Sequence, residues 1–360
     1  MYISGLGAEL NSSGLGIDLQ DTNISAILFA DDLVVLGRSR GALDSLMETT
    51  RSFFSRHRLD ISETKSKILS YNAATNKISF EAPNQPPLLL DQVLAFKYLG
   101  IYVSCAPYNL FKSFNEQVRK RARNYLTSVL SLVRSGPNRT DLAYSLWTSC
   151  ALPSILYGAE IIPLTKETIN EVEKCNTMVG KFILGIPRSS ANVSSYIDAG
   201  LRPISSLIAE KVLLYASSIM SKPLSYWPKK AMTENLSMGS LSPYTRYLTK
   251  WKMETNCYSL LPKHIRSSVR KSSIVNILDQ QRAVSTTTFS LSGFSCSNSS
   301  WFKPKRWVSD SGLSQIFASF RSCNSGLGNR GPAKNGNFYK LCQLCAENGV
   351  VALNNEVKTS

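Results

Sequence analysis

Two adjacent aspartates, Asp31 and Asp32, are the residues of this sequence whose type and spacing point most directly to chemistry. Two carboxylates this close repel each other, so water or a cation must stabilise them. One interpretation is a solvated turn, because aspartate is a common turn residue. The other is a site for Mg²⁺, which takes carboxylate oxygens and completes its shell with water and substrate phosphates.

Elements that alternate between strand and helix position this pair. The apolar runs 24–29 and 33–36 predict two strands joined by the turn that carries both aspartates, and we expect most of both runs to be buried. Ser39 is the predicted N-cap of a helix over about 40–58. Short strands are predicted over 59–62, 68–71 and 78–80, and a strand or tight hairpin over 96–103 with Gly100 at its centre.

Beyond residue 107 the pattern becomes helical. A helix over 110–134 alternates basic and apolar positions, so its basic face is either ordinary solvated surface or a surface for phosphates. Further helices are predicted over 140–157, 165–184 and 203–220. The predicted fold class is therefore α+β, an antiparallel sheet with helices followed by an all-helical region.

Composition and charge narrow the class of protein. The chain has 360 residues, a hydrophobic fraction of 43% and a formal charge of +16, so a polyanionic partner is the physical expectation. We expect no secretory signal and no membrane span. The eight cysteines are expected to be reduced thiols.

Cys342 and Cys345 form the one close cysteine pair. A Cys-x-x-Cys pair is half of a zinc site, since four ligands are normal. The other candidate ligands are Cys323, Cys296 and His264. We expect unmetallated thiols here and keep a Zn²⁺ site as the alternative.

Four blocks, in order, resemble reverse transcriptases. Phe-Ala-Asp-Asp at 29–32 resembles the Tyr/Phe-x-Asp-Asp motif, and the helix 40–58 has the place of the helix that follows it. Residues 59–69 resemble the block with a lysine near the incoming nucleotide. Phe-Lys-Tyr-Leu-Gly at 96–100 resembles the primer grip, in a form similar to non-LTR (LINE-type) retrotransposons. Residues 147–160 and the Cys342–Cys345 region resemble the same branch.

The resemblance implies a partial polymerase palm followed by a thumb-like helical region, and RNA-directed DNA polymerase activity by two-metal nucleotidyl transfer. It implies Mg²⁺ as cofactor, an RNA template and a DNA primer as partners, no membrane partner, and an intracellular, nuclear location. The implied catalytic residues are Asp31, Asp32 and Lys65, with both aspartates as metal ligands; the primer grip is Tyr98, Leu99 and Gly100; the nucleic-acid-binding residues are Lys112, Arg119, Lys120, Arg121 and Arg123.

The resemblance also implies an incomplete catalytic centre. The family's first catalytic aspartate and its fingers have no counterpart before Asp31, and Lys358 stands where a zinc-knuckle histidine is expected. We therefore expect a C-terminal fragment that is inactive alone, with the missing N-terminal part as a possible partner. The alternative is a non-catalytic, basic nucleic-acid-binding module. The predicted regions are a partial palm (1–106), a thumb-like region (107–186), a helical C-terminal region (187–283), a poorly ordered linker (284–334) and a truncated zinc-knuckle-like tail (335–360).

Overall fold

The computed structural model describes residues 3–70, 77–82, 85–105, 110–133, 139–283, 339–340, 350–353 and 356–359. The chain divides into two compact units. Unit 1 comprises Met1–Phe114 and Ser218–Arg246, and unit 2 comprises Asn115–Ser217 and Tyr247–Ser360. Within the described ranges no helix is long and apolar enough to cross a membrane.

The N-terminal part of unit 1 alternates short strands with two helices. Four antiparallel strands form two hairpins, β1 with β2 and β3 with β4. Further along the chain, β5, β7 and β6 form a three-stranded sheet in that order, and β8 pairs with β9. The elements are α1 (Ser4–Ser12), β1 (Ile17–Leu19), β2 (Thr22–Ile24), β3 (Ala26–Phe29), β4 (Asp32–Val35), α2 (Arg40–Arg56), β5 (Lys67–Ile68), β6 (Lys77–Ala82), β7 (Gln85–Gln92), β8 (Ala95–Tyr98) and β9 (Ile101–Ser104).

Helix α2 begins where the sequence predicts. The Ser39 side chain accepts a hydrogen bond from the amide of Ala42, which satisfies one of the free amides at the helix start. The helix then contributes to two apolar clusters. Leu46 and Phe53 pack with α1 and β3, whereas Met47 packs with the sheet formed by β5, β6 and β7. One helix therefore supports both the aspartate hairpin and the following sheet.

Strand β7 is an element that the sequence did not predict, because Pro86 and Pro87 near its start argue against a strand. The pairing with β6 is irregular between Phe80 and Ala82, opposite these prolines. Its partner on the other side, β5, pairs only with Asp91 and Gln92. The prolines therefore lie where a missing N–H interrupts little of the ladder.

Arg51 of α2 attaches this sheet to the helix. The side chain is buried, and its guanidinium donates to the carbonyl of Phe80 at 2.7 Å and to the carbonyl of Pro86. Arg40 lies over the Phe80 ring at 4.7 Å and donates to the Ser79 carbonyl at 2.7 Å. The strand predicted over 59–62 is wrong, since these residues are mostly exposed and form no strand.

A second segment of the chain also belongs to unit 1. Helix α9 (Trp227–Ser237) approaches β1 and β2, and Lys230 donates to Asp21 at 2.5 Å and to Thr22 at 2.7 Å. The lysine lowers the pKa of Asp21 through this hydrogen bond. The contact joins residues 209 positions apart, so sequence order alone does not indicate it.

Unit 2 is helical through residue 283. A π-helical turn, Leu146–Ala151, links α4 to α5 and lies just before Pro153, whose missing N–H disturbs regular α-helical bonding. Its helices are α3 (Lys112–Leu132), α4 (Arg139–Ser145), α5 (Leu152–Ile155), α6 (Lys166–Leu184), α7 (Val193–Ile197), α8 (Ile204–Met220), α10 (Pro243–Thr255) and α11 (Pro262–Ala283), of which α3, α8 and α10 extend into unit 1 at one end.

A buried polar network stabilises unit 2. Glu173 of α6 accepts hydrogen bonds from Tyr196 at 3.0 Å and from the amide of Ile204, at the start of α8, at 2.7 Å. Asn176 donates to Glu173 at 3.0 Å and accepts from the indole of Trp147 at 2.8 Å. Burial raises the pKa of Glu173, and these hydrogen bonds oppose the rise.

The architecture is α+β, with small sheets and many helices, as the sequence predicts at that coarse level. The sheets are separate and small, and the β5–β7 pair is parallel rather than antiparallel. Near the C-terminus, β10 (Tyr339–Lys340), β11 (Val350–Leu353) and β12 (Glu356–Thr359) form an antiparallel sheet. The predicted linker 284–334 and the pair Cys342 and Cys345 lie outside the described residues.

Candidate active site

Asp31 and Asp32 lie at the tip of the β3–β4 hairpin, where the sequence predicts a turn. Ala30 and Asp31 form the two-residue connection, and Asp32 pairs with Phe29 as the first residue of β4. Ala30 adopts a φ of 53°, a left-handed conformation that costs a non-glycine residue about 1–2 kcal/mol. Both aspartates are exposed, and neither forms an ion pair with any described residue.

One face of the hairpin is covered and the other is open. Ala26 is buried against α1 and α2, and an added Cβ on Gly7 would lie only 2.6 Å from Leu28 Cδ1, so α1 approaches β3 closely. On the opposite face, Ile27 is 42% and Phe29 59% exposed. The expectation that most of both runs are buried is therefore wrong for this face. Asp32 is paired with Phe29 and lies on the same open face.

The predicted primer-grip residues form a second tight hairpin in unit 1. Leu99 and Gly100 join β8 to β9 with φ angles of 46° and 83°, the pattern of a two-residue turn with both φ positive. Gly100 lies at its centre, as predicted. The Tyr98 hydroxyl is buried and makes no hydrogen bond to any residue that the structure describes. Burial raises the pKa of Tyr98, and the charge of Asp32 raises it further.

The structure does not bring Lys65 into contact with the aspartates. Its side chain is exposed and makes no ion pair within the described ranges. The neighbouring Lys67 is paired instead with Asp91 at 2.6 Å, which lowers the pKa of that carboxyl. The predicted role of Lys65 thus has no direct contact to support it here.

The basic helix α3 forms as predicted, but its arginines contact other parts of unit 2. Arg119 is paired with Glu167 at 2.7 Å, and Arg123 with Glu171. Arg121 donates to the backbone carbonyl of Ser154 at 3.2 Å. Lys112 and Lys120 are the exposed cations of this helix that form no ion pair with a described residue. Intramolecular carboxylates therefore neutralise much of the charge that the sequence assigns to this surface.

The aspartate pair fits one Mg²⁺ ion better than two. One or two carboxylates, with water and substrate phosphates, make a normal Mg²⁺ site. A two-metal centre requires further ligands. In the part of the chain that the structure describes, no three His, Cys, Asp or Glu side chains are grouped so that they could hold a metal. His264, a candidate zinc ligand, lies 3.3 Å from Ser259.

Comparison with known proteins finds similarity to reverse transcriptases in the part of the chain that carries both turns. Residues 3–103 match the reverse transcriptase (RNA-dependent DNA polymerase) family, and this segment contains both hairpins. The retrovirus-related Pol polyprotein from type-1 retrotransposable element R2 of Popillia japonica is 24% identical over 202 residues. The match covers 53% of this chain and 27% of that protein, so the chain spans about a quarter of the relative's length. No solved structure matches the chain.

Proposed function

We propose that this chain belongs to the reverse transcriptases of non-LTR retrotransposons, to which residues 3–103 and the R2 relative are similar, and that it contributes Asp31 and Asp32 to a Mg²⁺-dependent site for DNA synthesis on an RNA template. The observation that carries the proposal is the exposed carboxylate pair at the β3–β4 tip, which no basic side chain of the described residues neutralises. An unpaired anionic pair at an exposed hairpin tip is available to a hard cation and to substrate phosphates.

Each residue of the site has a proposed role in nucleotidyl transfer. Asp31 is the principal carboxylate ligand, and Asp32 has a weaker share. When bound, Mg²⁺ would stabilise negative charge on the phosphate oxygens. The Tyr98-Leu99-Gly100 turn positions the 3′-hydroxyl end of the DNA primer, which attacks the α-phosphate of a deoxynucleotide. Lys65 stabilises the leaving pyrophosphate, and its exposure leaves it free to reach an anion.

We assign a thumb-like role to α3 and the helices around it. Its support is the concentration of cations on one helix, since Lys112, Arg119, Lys120, Arg121 and Arg123 lie within twelve residues. Phosphate contacts of this kind fix the position of a duplex without reading its sequence. Because Arg119 and Arg123 are already paired with glutamates, they would contact phosphates only by sharing or exchanging those partners.

We further propose that the aspartate pair works with a carboxylate from outside the described residues. Two carboxylates alone supply too few ligands for two metal ions. The other part of the same element's protein is the partner that would supply this group. On this proposal the 360-residue chain binds nucleic acid but does not extend a primer alone.

The second candidate is a basic nucleic-acid-binding module without chemistry. The formal charge of +16 favours it, because a charge of this size attracts polyanions whatever the state of the catalytic site. The two proposals differ in what the aspartates do. In the module, nucleic-acid binding does not require Mg²⁺ at the hairpin and does not change when Asp31 is substituted.

The experiment measures how tightly the chain on an RNA–DNA primer–template binds a deoxynucleoside triphosphate, with Mg²⁺ and with chelator. We expect Mg²⁺-dependent nucleotide binding that Asp31→Asn weakens about tenfold or more, which corresponds to about 1.4 kcal/mol. Glu81→Gln, an exposed carboxylate of β6 in unit 1, is the matched control and should leave binding unchanged. Nucleotide binding that ignores both Mg²⁺ and Asp31 would favour the module.

Primer extension tests the need for a further carboxylate separately. With Mg²⁺, an RNA template and a DNA primer, we expect no extension by the isolated chain. Extension that Asp31→Ala abolishes would keep the proposed chemistry and overturn the requirement for an outside carboxylate.

A further inference from the structure

Helix α11 carries a basic surface that differs from that of α3. Its buried positions, Ile265, Val269, Ser273 and Ile277, recur every four residues, and most of the other positions whose burial the structure describes in this helix are exposed. Ile277 packs in a cluster with Val193 and Tyr196 of α7. The exposed positions of α11 include the cations Lys263, Arg266, Arg270 and Lys271.

Acidic side chains of the described residues leave part of this basic surface without an ion pair. The helix sequence contains one carboxylate, Asp279, and Arg266 is paired with Glu210 of α8 at a looser 3.6 Å. Lys263 and Lys271 are exposed and have no ion pair with any residue in the described ranges. The exposed cations Lys263 and Lys271 of α11 are therefore available to an external anion.

We infer that the exposed face of α11 binds the sugar-phosphate backbone of nucleic acid, with Lys263 and Lys271 as its main contacts. Eight residues of α-helix separate the two lysines by about 12 Å, which is about three to four nucleotide steps along one strand. The inference rests on the proposed function for the identity of the polyanion. It locates backbone contacts on a helix other than the one that the sequence favoured.

The same observations argue against an anionic membrane as the partner of this face. A helix that lies on a membrane inserts its apolar side between lipids. The apolar side of α11 is buried within unit 2, where Ile265, Val269 and Ile277 are each 1% exposed. The accessible side carries the cations together with one exposed large hydrophobic residue, Val275, and its repeated charges fit a backbone of repeated phosphates.

The test is the salt dependence of binding to a fluorescent RNA–DNA duplex by the full chain. We expect the double variant Lys263→Gln, Lys271→Gln to lower the slope of log affinity against log salt by about 2, since each lost phosphate contact removes about 0.9. At about 0.1 M salt the affinity should fall at least tenfold. Far-UV circular dichroism should be unchanged, because both side chains are exposed and unpaired among the described residues.

Helix α6 offers a matched control with the same number and spacing of charges. Lys166 and Lys174 are exposed and also eight residues apart, but α6 carries Glu167, Glu171 and Glu173. We expect Lys166→Gln with Lys174→Gln to change the slope by less than half as much. An equal fall in both double variants, or an unchanged slope in the α11 variant, would overturn the inference.

Two further readouts separate this inference from the proposed catalytic role. Asp31→Asn should weaken metal-dependent nucleotide binding but leave the salt slope of duplex binding unchanged. The proposed catalytic role and the proposed role of α11 can therefore fail independently. Vesicles that contain phosphatidylserine test the membrane alternative. Binding to those vesicles that is tighter than duplex binding, and that depends on Lys263 and Lys271, would contradict the assignment.

Discussion

The carboxylate of Asp32 lies close enough to the phenol of Tyr98 to raise its pKa, in addition to the larger rise caused by burial. Asp32 is the first residue of β4 in the β3–β4 hairpin, and Tyr98 is the last residue of β8 in the β8–β9 hairpin. The two residues are 66 positions apart in the sequence, and no shared strand pair joins their hairpins. Unit 1 therefore brings the predicted metal-binding and primer-grip turns into electrostatic contact.

This contact predicts a selective change in the titration of Tyr98. A negative charge disfavours the phenolate, so Asp32→Asn should lower the pKa of Tyr98 toward its ordinary value of 10, although burial keeps it raised. NMR of ring-labelled tyrosine would measure the shift, with Tyr98→Phe to assign the signal. Asp31→Asn is the control and should have a smaller effect, since Asp32 is the carboxylate that raises this pKa. Equal shifts in both variants would contradict the geometry.

The β8–β9 turn predicts opposite effects for two glycine substitutions. Gly100→Ala places a Cβ on a residue with a φ of 83° and should destabilise unit 1 by about 1–2 kcal/mol. Gly41→Ala, in helix α2 with no atom within 4 Å of the added Cβ, should be neutral or stabilise by up to about 1 kcal/mol. Urea unfolding of both variants measures the difference. A tolerated Gly100→Ala would mean that the turn adopts another conformation.

Substitution of Arg51, which lies outside the candidate active site, should cause a large loss of stability in unit 1. Arg51→Met leaves the carbonyls of Phe80 and Pro86 without their buried donor, and should cost about 2–4 kcal/mol for the two bonds. Arg56→Met removes an exposed ion pair to Glu9 at 3.2 Å and a cation–π contact with the Phe53 ring at 5.7 Å, and should cost no more than about 1.5 kcal/mol. Hydrogen exchange of the β6 and β7 amides would compare the variants. Similar protection in both would show that Arg51 does not hold this sheet.

Glu173 predicts a pH-dependent contribution to unit 2. Because its pKa is raised in the folded chain, the favoured native form is protonated, and the associated stability is present below the ordinary pKa of 4.5. That stability is lost as pH rises through the native pKa. The stability of the wild type relative to Glu173→Gln should therefore fall with rising pH over this window. Hydrogen-exchange protection of the α6 amides, compared between the two proteins at each pH, measures this relative stability. A relative stability of the wild type that rises with pH would contradict the burial of the carboxylate.

The sequence predicted local structure well where the signals are local. The Ser39 cap, the two turns and most helices of 110–220 follow from side-chain chemistry and spacing within a few residues. The open face of β3–β4 could not be predicted, because a nearly continuous apolar run conceals which residues face α1 and α2. Ile27 and Phe29 became exposed because the described structure supplies no element to cover them.

Long-range contacts account for the other differences. Arg119 and Glu167 are 48 residues apart, and the charge pattern of α3 alone gives no sign that α6 neutralises it. The sequence does not predict strand β7, because prolines argue against a strand. The irregular pairing with β6 that accommodates them cannot be recognised from the sequence of β7 alone. The basic residues of α11 can be read from the sequence, but the sequence does not show which of them form ion pairs with carboxylates on other helices.

The most direct test of the account is whether the β3–β4 tip binds a divalent cation. Mn²⁺, a paramagnetic substitute for Mg²⁺, would be titrated into the isotopically labelled 360-residue chain. We expect broadening of the NMR signals of Phe29, Asp31 and Asp32 that is abolished by Asp31→Asn with Asp32→Asn and unaffected by Glu81→Gln. Broadening elsewhere that leaves the hairpin signals sharp would contradict a metal-binding role for the aspartate pair.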